Sequence, residues 1–170
     1  MRVFHIGAEQ FVELDGLPAT LPAGGFVWIG CTREVFAQQV AALQAALQRW
    51  AAAALVDLHV SDLLNAQLPS HFDDTSWYDL MVFRRLAAMA GADEAATTLP
   101  SIDTSPVGFA VFDRVLLTVH PSDCAVRDFF AHRLANRAAG PDLRGSSRLP
   151  TSPADLMLRM VNHMVDGYLE

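Results

Sequence analysis

The chain contains no lysine. All 12 of its basic residues are arginine, set against 19 Asp and Glu in 170 residues, for a net charge of -7. So acidic a chain lacks the cationic surface that a phosphate backbone or an anionic lipid layer selects, which excludes nucleic acid as the main partner. With alanine as abundant as it is, the exclusive use of arginine reads as codon bias of a GC-rich genome. Cysteine is scarce. Cys31 and Cys124 are the only two, too few for a disulfide framework at this size and suited to a reducing compartment, which points to the cytosol. Long apolar runs are missing as well. The most apolar stretch, Val40 to Leu58, is interrupted by Gln44, Gln48, Arg49 and Asp57, short of the roughly 18 uninterrupted apolar residues a spanning helix needs. The opening Met1 to Ile6 has neither a long apolar core nor a small-residue cleavage site, so no secretory signal is expected.

Catalytic signatures are equally sparse. The sequence has no Gly-x-Ser-x-Gly elbow, no phosphate-binding glycine loop, and no His-x-x-x-His or Cys-x-x-Cys spacing. Nucleotide chemistry and a preformed zinc site are therefore unsupported, and an enzyme is not expected. Cys31 as a thiol nucleophile is the enzymatic alternative, but it follows a buried strand and carries no hydrolase signature.

What is present is an apolar fraction of 52%, enough for one domain with a sizeable core. Val3 to Ile6 and Gln10 to Leu14 read as strands, followed by a Gly- and Pro-rich loop from Asp15 to Gly25 and a compact strand at Phe26 to Ile29. Thr32 is a helix N-cap, and Val35, Phe36, Val40, Leu43, Leu47 and Trp50 mark one helix face. A second helix spans about Leu55 to Asn65 and stops at Leu68-Pro69-Ser70. Trp77 to Leu86 reads as a strand, and Gly91 to Pro106 as a polar loop. Val107 to Phe112 and Val115 to His120 flank Asp113-Arg114 as a hairpin. Pro121 and Ser122 open a helix bearing Val126, Phe129, Phe130 and Leu134, which precedes a linker, Gly140 to Pro150. Strands and helices alternate, which makes the fold class α/β.

The last element begins with Ser152 as N-cap, Pro153 at the first helical position and Asp155 in the first turn. Leu156, Met157, Met160, Val161, Met164, Val165, Tyr168 and Leu169 then form an apolar stripe of helical period. No capping signal closes it before Glu170, so the helix is expected to run on in a longer natural protein.

Several of these segments carry a family resemblance. Val60-Ser61-Asp62-Leu63-Leu64-Asn65 leading to an aromatic strand, Leu116-Leu117-Thr118-Val119-His120 ending a hairpin, and Val165-Asp166-Gly167-Tyr168 on the final helix occur in the order found in the cytosolic domain of CorA-type divalent-cation transporters. From about Phe26 to Glu170 the chain resembles that domain. Departures are Ser61 at the first acidic position of the Leu-Glu-Asp motif, the missing His-Pro pair ahead of it, and Leu68-Pro69-Ser70 in place of Arg-Pro-Lys. The Gly-Met-Asn pore signature and the two membrane helices do not occur in the chain.

The resemblance implies an α/β/α sandwich with a mixed parallel and antiparallel sheet, ending in a truncated long helix. It implies a regulatory domain on the cytoplasmic side of a bacterial inner membrane, in a homopentamer whose only membrane contact lies beyond Glu170. Such domains bind divalent cations between subunits to hold the pore closed; Mg²⁺ is the expected regulator, with Zn²⁺, Co²⁺ or Ni²⁺ as alternatives and a ZntB-like zinc transporter as a variant reading. Mg²⁺ retains most of its waters, so one or two carboxylates at a subunit boundary suffice for a weak site. Asp62 matches the sensing carboxylate, its partner falling beyond Glu170. By its residue type alone, Asp62 is a solvated helix-end carboxylate. Asp73, Asp74 and Asp79 cluster around a turn, where such charges usually serve solubility but also suit a hard cation. His71, beside them, is a candidate ligand for a borderline metal. A stand-alone soluble ligand-binding or interaction module is the third reading.

Overall fold

A computed structural model describes residues 1–86, 104–140 and 148–166. It contains a seven-stranded sheet in the order β2-β1-β3-β7-β6-β5-β4. The strands are β1 (Arg2–Ile6), β2 (Phe11–Leu14), β3 (Phe26–Thr32), β4 (His71–Asp74), β5 (Asp79–Leu86), β6 (Thr104–Val111) and β7 (Val115–His120). The helices are α1 (Arg33–Ala51), α2 (Asp57–Leu64), α3 (Val126–Ala139) and α4 (Pro153–Asp166). Among the described residues only β3 and β7 pair in parallel; every other neighbouring pair is antiparallel. The sheet is mixed, as expected.

Strands β3 and β7 read as continuous apolar runs because both of their faces are covered. On one face, Val27, Ile29, Cys31, Val115, Leu117 and Val119 pack under Phe36, Leu43 and Leu47 of α1 and Leu63 of α2. On the other, Phe4, Trp28, Phe109 and Leu116 pack under Phe130 and Leu134 of α3 and Leu156 and Met160 of α4. This is the three-layer α/β/α sandwich.

The starts of α1 and α4 follow the sequence closely, whereas α3, expected to open at Pro121-Ser122, begins at Val126 with no side-chain cap. Val35 N–H donates to Thr32 Oγ1 at 3.2 Å, so Thr32 caps α1. Helix α1 ends where Ala52 turns left-handed at φ 54° and its N–H closes on Gln48 O. Asp155 N–H donates to Ser152 Oγ at 3.1 Å, and the Asp155 carboxylate accepts from Thr151 N–H at 3.0 Å. Leu156, Met160 and Met164 are buried at four-residue spacing, so the methionine stripe fills this chain's own core. Residues 167–170, including Tyr168 and Leu169, lie outside the described part, and with them the expected continuation of the helix; 141–147 of the linker do too.

Several boundaries differ from the sequence reading. Helix α2 starts at Asp57 and ends at Leu64, before the Leu68-Pro69-Ser70 turn, and Leu58 faces solvent rather than the core. The strand expected from Trp77 begins at Asp79, because Thr75 Oγ1 accepts from both Trp77 and Tyr78 N–H and holds those residues in a turn. Strand β6 starts at Thr104 inside the expected loop, residues 91–103 of which are not described. Its Pro106 has no N–H to give, but sits near the strand's start, where that loss is tolerated. Strand β4 was not expected at all: His71-Phe72-Asp73-Asp74 is polar and short, and is a strand because β5 pairs with it.

Candidate functional site

Helix α2 lies over the β4 end of the sheet, and glycine sets how close it comes. A Cβ on Gly108 would stand 2.3 Å from Leu63 Cδ2, so the bare backbone of β6 is what lets Leu63 seat. Leu63 buried downward places Asp62, one residue earlier, at the rim facing β4. The loop between them is tied down by Arg84, which donates through Nη1 to Leu68 O at 2.7 Å, while its N–H donates to Ser70 Oγ at 2.9 Å.

Strand alternation divides the four candidate aspartates. His71 and Asp73 pair with Val82 and Leu80, and so share the α1/α2 face with Asp62. Asp74 pairs directly with Asp79, on the opposite face. Two like charges there repel one another, and Asp74 is relieved by exposure to water. The expected single cluster of Asp73, Asp74 and Asp79 is therefore two separate groups. Among the described residues, no three His, Cys, Asp or Glu side chains are arranged to hold a metal ion.

On the α2 face, two histidine–aspartate pairs bridge helix and strand in opposite senses: His59 of α2 meets Asp73 of β4, and Asp62 of α2 meets His71 of β4. The first pair is closed. His59, with a side chain only 2% exposed, places Nε2 2.6 Å from Asp73 Oδ2 and Nδ1 2.6 Å from the Tyr78 hydroxyl. The carboxylate only accepts, so Nε2 donates to it, and in the neutral ring Nδ1 then accepts from the Tyr78 hydroxyl. Tyr78 in turn accepts from Val56 N–H at 2.9 Å. Burial pushes the Tyr78 phenol above its ordinary value, with the Asp73 charge adding to it, so its proton stays. Both ring nitrogens of His59 and the Tyr78 hydroxyl have partners, and the arrangement fastens α2 to the edge hairpin.

The second pair is open. His71 Nε2 stands 3.6 Å from Asp62 Oδ2, with side chains 30% and 16% exposed respectively. His71 Nδ1 lies 3.2 Å from Pro69 O. Asp62 is thus half-buried and faces a nitrogen, which its place at a helix end did not disclose. His59 and Tyr78 escaped the sequence reading; the spacing of His59 and Asp62, three apart on one helix face, was the available signal.

Cys31 provides no thiolate. It is fully buried, and burial pushes its thiol up to about 12, which removes the basis for the hydrolase alternative.

The layer order, the parallel β3–β7 pair and the placing of α2 over the far edge can be set against known structures. The soluble domain of CorA from Methanocaldococcus jannaschii superposes with a TM-score of 0.65 at 14% identity, over 98% of this chain and 56% of that one. The fold is that of the CorA soluble domain. The complete CorA magnesium transporter from the same organism gives 0.63 at 12% identity, over 98% of this chain and 44% of that one. The ZntB cytoplasmic domain from Vibrio parahaemolyticus gives 0.63 at 12%, over 99% and 60%. The chain thus spans between 44% and 60% of the length of these structures. No family model matches the sequence, and neither does any curated protein. At these identities the likeness establishes the CorA-type fold, and no helix among the described residues is long and apolar enough to cross a membrane.

Proposed function

We propose that this chain is the cytosolic regulatory domain of a CorA-like divalent-cation transport protein, with Asp62 as its leading cation contact. The observation that carries the reading is positional. The Val60-Ser61-Asp62-Leu63-Leu64 motif that resembles the family's sensing segment forms α2, and its carboxylate lies half-buried at the rim of a fold shared with CorA and ZntB over nearly the whole chain. In this reading the full protein is a homo-oligomer, a pentamer, on the cytoplasmic side of a bacterial inner membrane, and the ion it senses and passes is Mg²⁺ or a related divalent cation. A carboxylate at a subunit boundary binds hydrated Mg²⁺ weakly, which suits a sensor of millimolar ion. Asp73, Asp74 and Asp79 are secondary contacts, Asp73 being already engaged by His59.

The natural full-length protein tests this in liposomes. Uptake of a divalent cation that stops as internal Mg²⁺ rises, with Asp62→Ala moving the stopping concentration upward, is the expected result. Absence of uptake for Mg²⁺, Co²⁺, Ni²⁺ and Zn²⁺ alike would remove the transporter reading. Unchanged closure in Asp62→Ala would remove the site from it.

A further inference from the structure

Charge is unevenly spread along this acidic chain. Six of its 12 arginines, but only three of its 19 acidic residues, fall between 127 and 159. That segment carries α3 and the first half of α4, and a groove of about 200 Å³ lies between the two helices. Its floor is apolar, made by the buried Phe130 and Leu134. Its polar lining is Arg133 and Arg137 from α3 and Arg159, Asn162, His163 and Asp166 from α4. Arg133 and Arg137, four apart, share one helix face, where like charges repel. Arg159 is fixed in place: the Asp155 carboxylate accepts from Nε at 3.1 Å and from Nη2 at 3.2 Å, and Arg148 O accepts from Nη1 at 2.7 Å. Three of its five N–H groups are used in this way, which leaves two for another acceptor. His163 is oriented by rings. It stacks on Phe129 with centroids 4.3 Å apart and stands edge-on to Phe130 at 5.5 Å. The Arg133 guanidinium lies 6.0 Å from the same Phe129 ring, so it borders the groove beside His163.

We propose that the α3–α4 groove binds a small phosphate monoester, its phosphoryl group among the guanidinium groups and its organic part on the Phe130–Leu134 floor. Guanidinium forks match the oxygens of carboxylates and phosphates. A carboxylate has two oxygens, which a single fork satisfies. A phosphoryl group has three terminal oxygens, so it can accept from forks on both helices at once. The charge sets the scale. Asp155 offsets Arg159 and Asp166 opposes an anion, so the lining keeps a surplus of one positive charge with His163 neutral. That suits one phosphoryl group held weakly, and not a polyphosphate. Size points the same way, because about 200 Å³ falls below the roughly 300–1,000 Å³ of sites that enclose larger ligands such as nucleotides. The inference uses neither Asp62 nor a divalent cation, and so stands apart from the function proposed above.

Phenyl phosphate titrated into the chain at constant ionic strength, with EDTA present and amide ¹H–¹⁵N spectra as the readout, is the test. Saturable shifts on α3 and α4 are expected, with inorganic phosphate binding more weakly and phenol causing none. Arg133→Gln, at an exposed position that keeps the fold, should weaken binding about tenfold, the scale of one lost charge-assisted hydrogen bond. Asp166→Asn removes the opposing carboxylate and should tighten it. Arg49→Gln takes the same charge from an exposed position on α1, across the sheet, and should change nothing. Shifts that sodium chloride reproduces, or that never saturate, overturn the site, as does equal weakening in Arg133→Gln and Arg49→Gln. Inorganic phosphate binding as tightly as the ester overturns the assignment to a monoester. Cation uptake in liposomes with no phenyl phosphate binding leaves the transport reading standing and sinks this one; binding without uptake does the reverse.

Discussion

His120 closes β7, buried to 3% exposure, with Nδ1–H donating to Pro121 O at 2.8 Å and Nε2 without a hydrogen-bond partner among the described residues. Burial lowers its proton affinity below the ordinary value of 6.5; the Arg127 and Arg85 charges add to this, while the Pro121 bond and Asp128 oppose it. Folded protein therefore refuses a proton that the unfolded chain accepts. Stability is full above pH 6.5 and falls as the pH drops through 6.5 toward the lowered folded value. Urea midpoints measured between pH 7.5 and 5.5 should fall with acidification, and less steeply in His120→Asn, which cannot charge. Equal slopes would show that His120 does not contribute.

Element placement on the α2 side depends on one missing side chain. Because a Cβ at Gly108 would stand 2.3 Å from Leu63 Cδ2, Gly108→Ala has to push α2 outward or turn Leu63 from its rotamer. Overpacking of this kind costs about 1–3 kcal/mol, to be read as a fall in denaturant midpoint, and Leu63→Ala in the same chain should recover part of it. A midpoint unchanged by Gly108→Ala would mean that Leu63 moves without cost. Strand β4 shows why some elements are silent in sequence. Its four residues include two aspartates, which strands disfavour, and no apolar alternation identifies it. Pairing with β5 and the His59–Asp73 bond make it a strand. By contrast Thr32, Ser152 and Pro153 act on their own backbone within one turn, so both helix starts could be read directly.

At the scale of the whole molecule, the exposed large apolar residues among those described (Met1, Val12, Val56, Leu58, Phe72, Trp77, Phe129, Leu158 and Val165) are distributed over several elements, and the α4 methionines Met160 and Met164 are buried in this chain's own core. The chain alone should accordingly sediment as a monomer or a weak associate; a stable, metal-independent dimer with a large apolar interface would count against the proposed assembly. The amino-acid sequence by itself determined the α/β class, the two capped helices, the β6–β7 hairpin and the buried central strands, because each depends on periodicity or on contacts within a few residues. Tertiary structure alone decided which of the candidate residues meet. Asp73 and Asp74 lie next to one another in the chain, yet the pleat sends them to opposite faces, while Asp62 and His71, nine positions apart, come together because α2 packs against the sheet through Leu63 and β5 draws His71-Phe72-Asp73-Asp74 into its edge. Long-range packing sets those distances, and no local spacing encodes them.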